Sequence, residues 1–146
     1  MPIEKSAGAV IFRRENNKIY YLLLNYPAIS HRAKKDYWDF PKGHIEKGEN
    51  IKDTVKREVF EETGLEDLKI LPDFKETIKY FFSFRGKNVL KFVTFLLAET
   101  REKEVQISPE HQGYEWLPFE NAMERLTFDN AKEILKKAHQ FVKKEI

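Results

Sequence analysis

The sequence predicts an α+β protein, an α/β/α sandwich around a mixed central β-sheet. Three observations predict it. Segments rich in β-branched and aromatic residues lie on both sides of one mid-chain helical pattern; two of them flank a Gly-containing turn and read as a hairpin; and a second amphipathic pattern lies at the end of the sequence. The 146 residues suffice for one core, and neither a repeat nor a linker rich in Gly, Pro or Ser divides them. A single domain, 1–146, is expected.

The elements follow in order. Ser6 to Arg13 is apolar and β-branched, a strand; Asn16-Asn17 marks a turn, and Lys18 to Tyr26 is the next strand. Ala28 to Asp36 is polar and reads as a loop, its His31, Arg32, Lys34 and Lys35 forming a basic solvent loop or a clamp for distal phosphates. Trp38 to Pro41 is extended, because the residue before proline avoids the helical region. Gly43 to Asn50 reads as a loop and Ile51 to Thr63 as a helix stopped by Gly64, with Ile51, Val55 and Val59 one turn apart on its apolar stripe. Leu68 to Leu71 is a short strand. Thr77 to Phe84 and Val89 to Glu99 form the hairpin through Arg85-Gly86-Lys87-Asn88. Tyr114 to Leu117 is the last strand, and Phe119 to Leu126 a short helix with Pro118 at its start. A final helix begins near Asp129, read as its N-cap, with Ala131, Ile134, Leu135, Ala138, Phe141 and Val142 on one side.

Composition narrows the function classes. There is no cysteine, which excludes disulfides and thiolate metal sites. The apolar runs, such as Val93 to Ala98, are too short to span a membrane, and no apolar leader follows the start, so a cytoplasmic protein is expected. A net charge of +2 gives no argument for nucleic acid.

Chemistry concentrates in the mid-chain helix. Glu58, Glu61 and Glu62 fall within an arc of about 100° on one face at roughly 100° per residue. Their repulsion costs helix stability, which a divalent cation would offset; hard oxygen donors select Mg2+ or Mn2+. A solvated acidic face is the ordinary alternative. The helical wheel opposes it, because Glu62 projects on the side of Ile51, Val55 and Val59, where a carboxylate needs a partner. Arg57 reaches Glu61 one turn on and Glu49 in the preceding loop, a scaffold holding loop to helix. Gly43 and Gly48 permit tight turns and a backbone carbonyl aimed at metal.

These residues also carry a resemblance. Gly43, five residues, Glu49, seven residues, Arg57-Glu58-Val59, one residue, Glu61-Glu62, one residue, Gly64-Leu65 resembles the box of the Nudix hydrolases without departure. The resemblance implies the Nudix fold and hydrolysis of a nucleoside diphosphate linked to a further group. Glu58 and Glu62 are then the main metal ligands and Glu61 a third, with one of them open to service as base.

The flanks are similar to the asymmetrical diadenosine tetraphosphate hydrolases of that family. Pro41-Lys42-Gly43-His44, the run Ala7 to Arg14, and Pro109-Glu110-His111-Gln112-Gly113-Tyr114-Glu115-Trp116-Leu117 carry this likeness. It implies a dinucleoside polyphosphate substrate, with ATP and AMP as products, and makes Glu110 a carboxylate brought from outside the helix. Broader nucleoside triphosphate, nucleotide-sugar or RNA 5′-end substrates are the alternative, and either a monomer or a dimer is compatible. Lys42 and Lys91 suit phosphate oxygens, His44 a phosphate hydrogen bond, and Tyr80 and Tyr114 an adenine face. For the two tyrosines, sheet packing is an equal reading.

Overall fold

The computed structural model describes residues 2–28 and 33–145; His31 and Arg32 lie outside them. The chain runs β1 (Ile3–Glu15), β2 (Lys18–Tyr26), β3 (Tyr37–Asp39), β4 (Lys42–His44), α1 (Ile51–Thr63), β5 (Lys69–Ile70), β6 (Glu76–Phe84), β7 (Lys87–Glu99), β8 (Gly113–Leu117), α2 (Phe119–Arg125) and α3 (Asp129–Glu145).

The strands form one mixed sheet with the backbone order β3-β2-β1-β7-β5. Its center is a parallel pair, β1 against β7, in register from Ile3↔Leu90 to Phe12↔Glu99; the other pairings are antiparallel. Two hairpins turn through paired left-handed residues, Asn16-Asn17 (φ 52° and 65°) and Arg85-Gly86 (φ 52° and 74°). Such two-residue turns match the twist of the flanking strands. The second hairpin therefore turns on two residues, and Lys87 and Asn88 already belong to β7.

β1 changes partner along its length, which opens the sheet at the site. Phe12 to Glu15 pairs with β2, whereas Ser6, Ala7 and Gly8 pair with His44, Gly43 and Lys42 of β4. Gly43 and His44, expected in a loop, are thus strand residues. Their edges are fixed by β1, and the loop begins only after them.

Alternation along β1 assigns the two faces. Ala7, Ala9 and Ile11 pack with Val55 and Val59 of α1. Val10 and Phe12 pack on the opposite side with Ile134, Leu135 and Ala138 of α3 and Ala122 of α2. Burial on both faces explains why β1 reads as a continuous apolar run, and burying each Val, Leu, Ile or Phe contributes about 1.5–3 kcal/mol. In α3, Asp129 is the first helical residue rather than the cap, because the Phe128 carbonyl accepts the first bond, from Lys132 N–H (3.1 Å). No helix among the described residues is long and apolar enough to cross a membrane.

Candidate active site

Helix α1 has the expected bounds and strong ends. The Asn50 side chain accepts from Asp53 N–H (2.8 Å) while Asp53 returns a bond to Asn50 N–H, a reciprocal cap. Gly64 ends the helix at φ 76° and donates to the Phe60 carbonyl. The loop before β8 laces onto the last turn, with Ser108 N–H on the Glu62 carbonyl and Gln106 N–H on that of Thr63. These bonds satisfy carbonyls that a helix C-terminus leaves open. They also bring Glu110 and His111 to the glutamate face.

Glu62 points inward as the apolar stripe requires and is 4% exposed. Its Oε2 is buried without a well-formed hydrogen bond among the described residues. Glu58 is half-buried beside it, touching Arg57 (Nη1 to Oε1, 2.8 Å). Burial raises the Glu58 carboxyl to about 8, reinforced by Glu62 and opposed by Arg57. Burial likewise raises Glu62 to about 7, against the lowering effects of its bond with Glu58 and of Lys42. A buried and a half-buried carboxylate that resist ionising together, one with an oxygen lacking a well-formed bond, fit an oxygen-seeking divalent cation.

A cleft of about 810 Å³ begins at these carboxylates. Glu58, Glu62 and Glu110 line it together with Lys42, His44 and Lys91. Lys42 pairs with the buried Asp39 (2.7 Å) beneath the rings of Tyr26 and Tyr37. Burial opposes its charge, but Asp39 outweighs that and holds its pKa above the ordinary lysine value. Lys91 is buried with its Nζ 3.3 Å from both Glu4 Oε1 and His44 Nε2. Tyr80 stands directly across from Lys91 in the β6–β7 pairing. Tyr80, Phe82 and Phe128 add aromatic wall to the cleft, and Tyr37 packs 5.2 Å from Phe128.

Several expectations are corrected. Glu61 does not join the cleft: its half-exposed side chain pairs with Arg57 (3.1 Å), since its helix position faces that guanidinium. No three acidic or imidazole groups among the described residues converge into a ready metal cluster. Tyr114 packs in the apolar layer beneath α1, away from the cleft, because its place opposite Leu24 turns it to that face. Gly43 makes no tight turn. Glycine is needed there because a Cβ would overlap the Glu58 carboxylate, whereas Gly48, at φ 86°, is the turn glycine. Arg57 and Glu49 need no such correction: Arg57 grips Glu49 through two nitrogens (2.6 and 3.0 Å) and the His44 carbonyl (2.9 Å). That pairing lowers the Glu49 carboxyl to about 2.

Asp39, Tyr37, Phe128 and His111 are cleft residues that sequence reasoning did not select. The Glu-His-Gln segment carried a signal for His111; Phe128, in the link between α2 and α3, had none.

Comparison with known proteins agrees with this geometry. The sequence matches the NUDIX domain over residues 2–138. The chain belongs to the Nudix family. This Nudix hydrolase is 35% identical to the asymmetrical bis(5′-nucleosyl)-tetraphosphatase of Mus musculus, over 94% of this chain and 95% of that protein. The crystal structure of a C. elegans Ap4A hydrolase binary complex superposes with a TM-score of 0.80 and 33% identity, covering 95% of this chain and 97% of that one. The RNA pyrophosphohydrolase of Nitratiruptor sp. is 29% identical over 90% of this chain and 94% of that protein. Nudix hydrolases generally need a divalent metal, and the Glu58–Glu62 pair has the donor chemistry for one.

Proposed function

We propose that this Nudix hydrolase cleaves diadenosine tetraphosphate to ATP and AMP, with residues 1–146 acting as one domain in the cytoplasm. The observation that carries the reading is one cleft lined together by carboxylates, lysines and aromatic rings. The likeness to asymmetrical tetraphosphatases over nearly the whole chain supports the substrate.

Glu58, Glu62 and Glu110 would hold Mg2+ or Mn2+, with the Gly43 main chain beside Glu58. When bound, the cation neutralises polyphosphate charge and makes water a better nucleophile. Lys42, Lys91 and His44 bind phosphate oxygens and fix the chain in line for attack. Water oxygen bonds to phosphorus, the bridging P–O bond breaks toward the departing phosphate, and a carboxylate of the cleft takes the proton. Tyr80 and Phe128 offer faces on which an adenine stacks.

Product analysis on diadenosine tetraphosphate with Mg2+ tests the reading. ATP plus AMP is expected. Two ADP would overturn the asymmetry, and no turnover alongside cleavage of 5′-triphosphorylated RNA, ADP-ribose or nucleoside triphosphates would overturn the substrate.

A further inference from the structure

One buried group in the site has no part in the reading above. His111 has a fully buried side chain, with Nε2 3.2 Å from Glu62 Oε1. Its ring meets Tyr26 edge-on at 4.6 Å. Its Nδ1 lies 2.9 Å from Ser108 Oγ. Ser108 Oγ in turn accepts from Glu110 N–H (3.3 Å), while Ser108 N–H holds the Glu62 carbonyl (3.1 Å). The histidine is therefore held at Nδ1 by the strap that closes the last turn of α1, with Nε2 close to Glu62 but not in hydrogen-bond alignment with it.

We infer that His111 is a positioning residue: in its Nε2–H tautomer it anchors Glu62 Oε1 and so turns Oε2 toward the cation. The inference rests on the proposed divalent site. Three observations support it.

First, the Tyr26 hydroxyl, which also approaches Glu62 Oε1, is committed elsewhere. Tyr26 has a single hydroxyl proton and stands 2.5 Å from the Phe40 carbonyl but 3.4 Å from Oε1. The nearer acceptor takes it. Second, the surroundings favour one tautomer. Ser108 Oγ receives the Glu110 amide and can present its own proton to Nδ1, an arrangement that places the imidazole proton on Nε2. The opposite tautomer would press an Nε2 lone pair against an ionised carboxylate in a buried site, a costly contact. As the side chains stand, Nε2 and Oε1 are 3.2 Å apart without hydrogen-bond alignment, and the inferred bond requires one of the groups to rotate. Third, the two oxygens of Glu62 differ: Oε1 faces Tyr26 and His111, and Oε2 is the buried oxygen without a well-formed bond. A partner that holds one oxygen of a ligating carboxylate orients the other, and losing such a partner weakens metal affinity by about 10- to 100-fold.

Calorimetric titration of Mg2+ and Mn2+ into the substrate-free protein tests this, using His111→Leu and His111→Gln. The glutamine amide nitrogen takes the place of Nε2, whereas leucine fills the volume without a donor. The leucine variant should bind about 10- to 100-fold more weakly, and the glutamine variant within about 3-fold of wild type. Equal affinity in all three proteins, or glutamine no better than leucine, overturns the inference. Melting in chelator separates lost orientation from lost folding. If the leucine variant does not fold, 15N shifts of His111 in the Mg2+-saturated wild type decide: a proton on Nε2 is expected, and a proton on Nδ1 overturns the assignment. A wild type that binds no cation would instead sink the metal-site reading.

Discussion

The main chain at Gly43 lies so close to Glu58 that a methyl group there would overlap the carboxylate carbon and both its oxygens. The Glu58 carboxylate thus lies where a side chain at position 43 would begin. Gly43→Ala must move either the strand or the carboxylate. Displacements of about 1 Å in a reacting geometry cost roughly 100-fold. A loss of turnover of that size is expected, with saturating Mg2+ restoring little of it. Near-wild-type rates would mean that the Glu58 position is not critical.

Glu62→Gln keeps the shape and removes the charge. The metal-free melting temperature should hold or rise, because burying that carboxylate is unfavourable. The Mg2+-induced rise in melting temperature, which follows mass action, should disappear, and turnover should fall by more than about 100-fold. A full Mg2+ shift in the variant would rule out Glu62 as a ligand.

The raised carboxyls of Glu58 and Glu62 set a pH dependence with a definite sign. Their folded values, about 8 and about 7, lie above the ordinary carboxylate value. The native state therefore holds more protons than the unfolded chain, and stability falls as pH rises. The contribution is complete below the unfolded value and is lost as pH passes through about 7 to 8. Metal-free protein should melt at lower temperature at pH 9 than at pH 6, and Mg2+ should stabilise it more at pH 9. A metal-free melting temperature that rises over that range would show the pair is not coupled as described.

Arg57→Lys retains a charge and loses the fork that grips Glu49 and the His44 carbonyl. Hydrogen bonds to charged groups contribute about 1.5–3 kcal/mol, here reduced because Arg57 remains partly exposed. A destabilisation of about 1–2 kcal/mol in urea unfolding is expected. An unchanged midpoint would make the scaffold unimportant.

Phe128→Ala tests the aromatic wall. Base stacking on an aromatic ring is worth about 1–3 kcal/mol, so KM for diadenosine tetraphosphate should rise about 5- to 100-fold with kcat little changed. A lower kcat at constant KM would place Phe128 in a different role.

Helix α1 and its inward Glu62 were legible in the sequence because their causes are local: a four-residue apolar spacing, a glycine stop, a carboxylate on the wrong side of the wheel. The β1–β2 and β6–β7 hairpins were legible through their turn residues. What was not legible depends on pairing at a distance. The short β4 exists because β1 lends it an edge, so Gly43 reads as a loop residue from its neighbours alone. Tyr114 and Tyr80 look alike in sequence, and only the register against Leu24 and Lys91 sends one beneath α1 and the other into the cleft. Phe128 reaches the cleft through the junction of two helices that no periodicity locates.

The parallel pairing of β1 with β7 bears on how the protein comes into being. Arg14 and Glu99, which clasp each other at one end of that pair, are separated by 85 positions. Contacts of such separation slow folding, since a long loop must close before they are rewarded. On the ribosome, the first strand has to wait until the seventh has emerged. Through that interval the edge of β1 that β7 will cover stays open, and chaperones have the longest opportunity to engage the nascent chain.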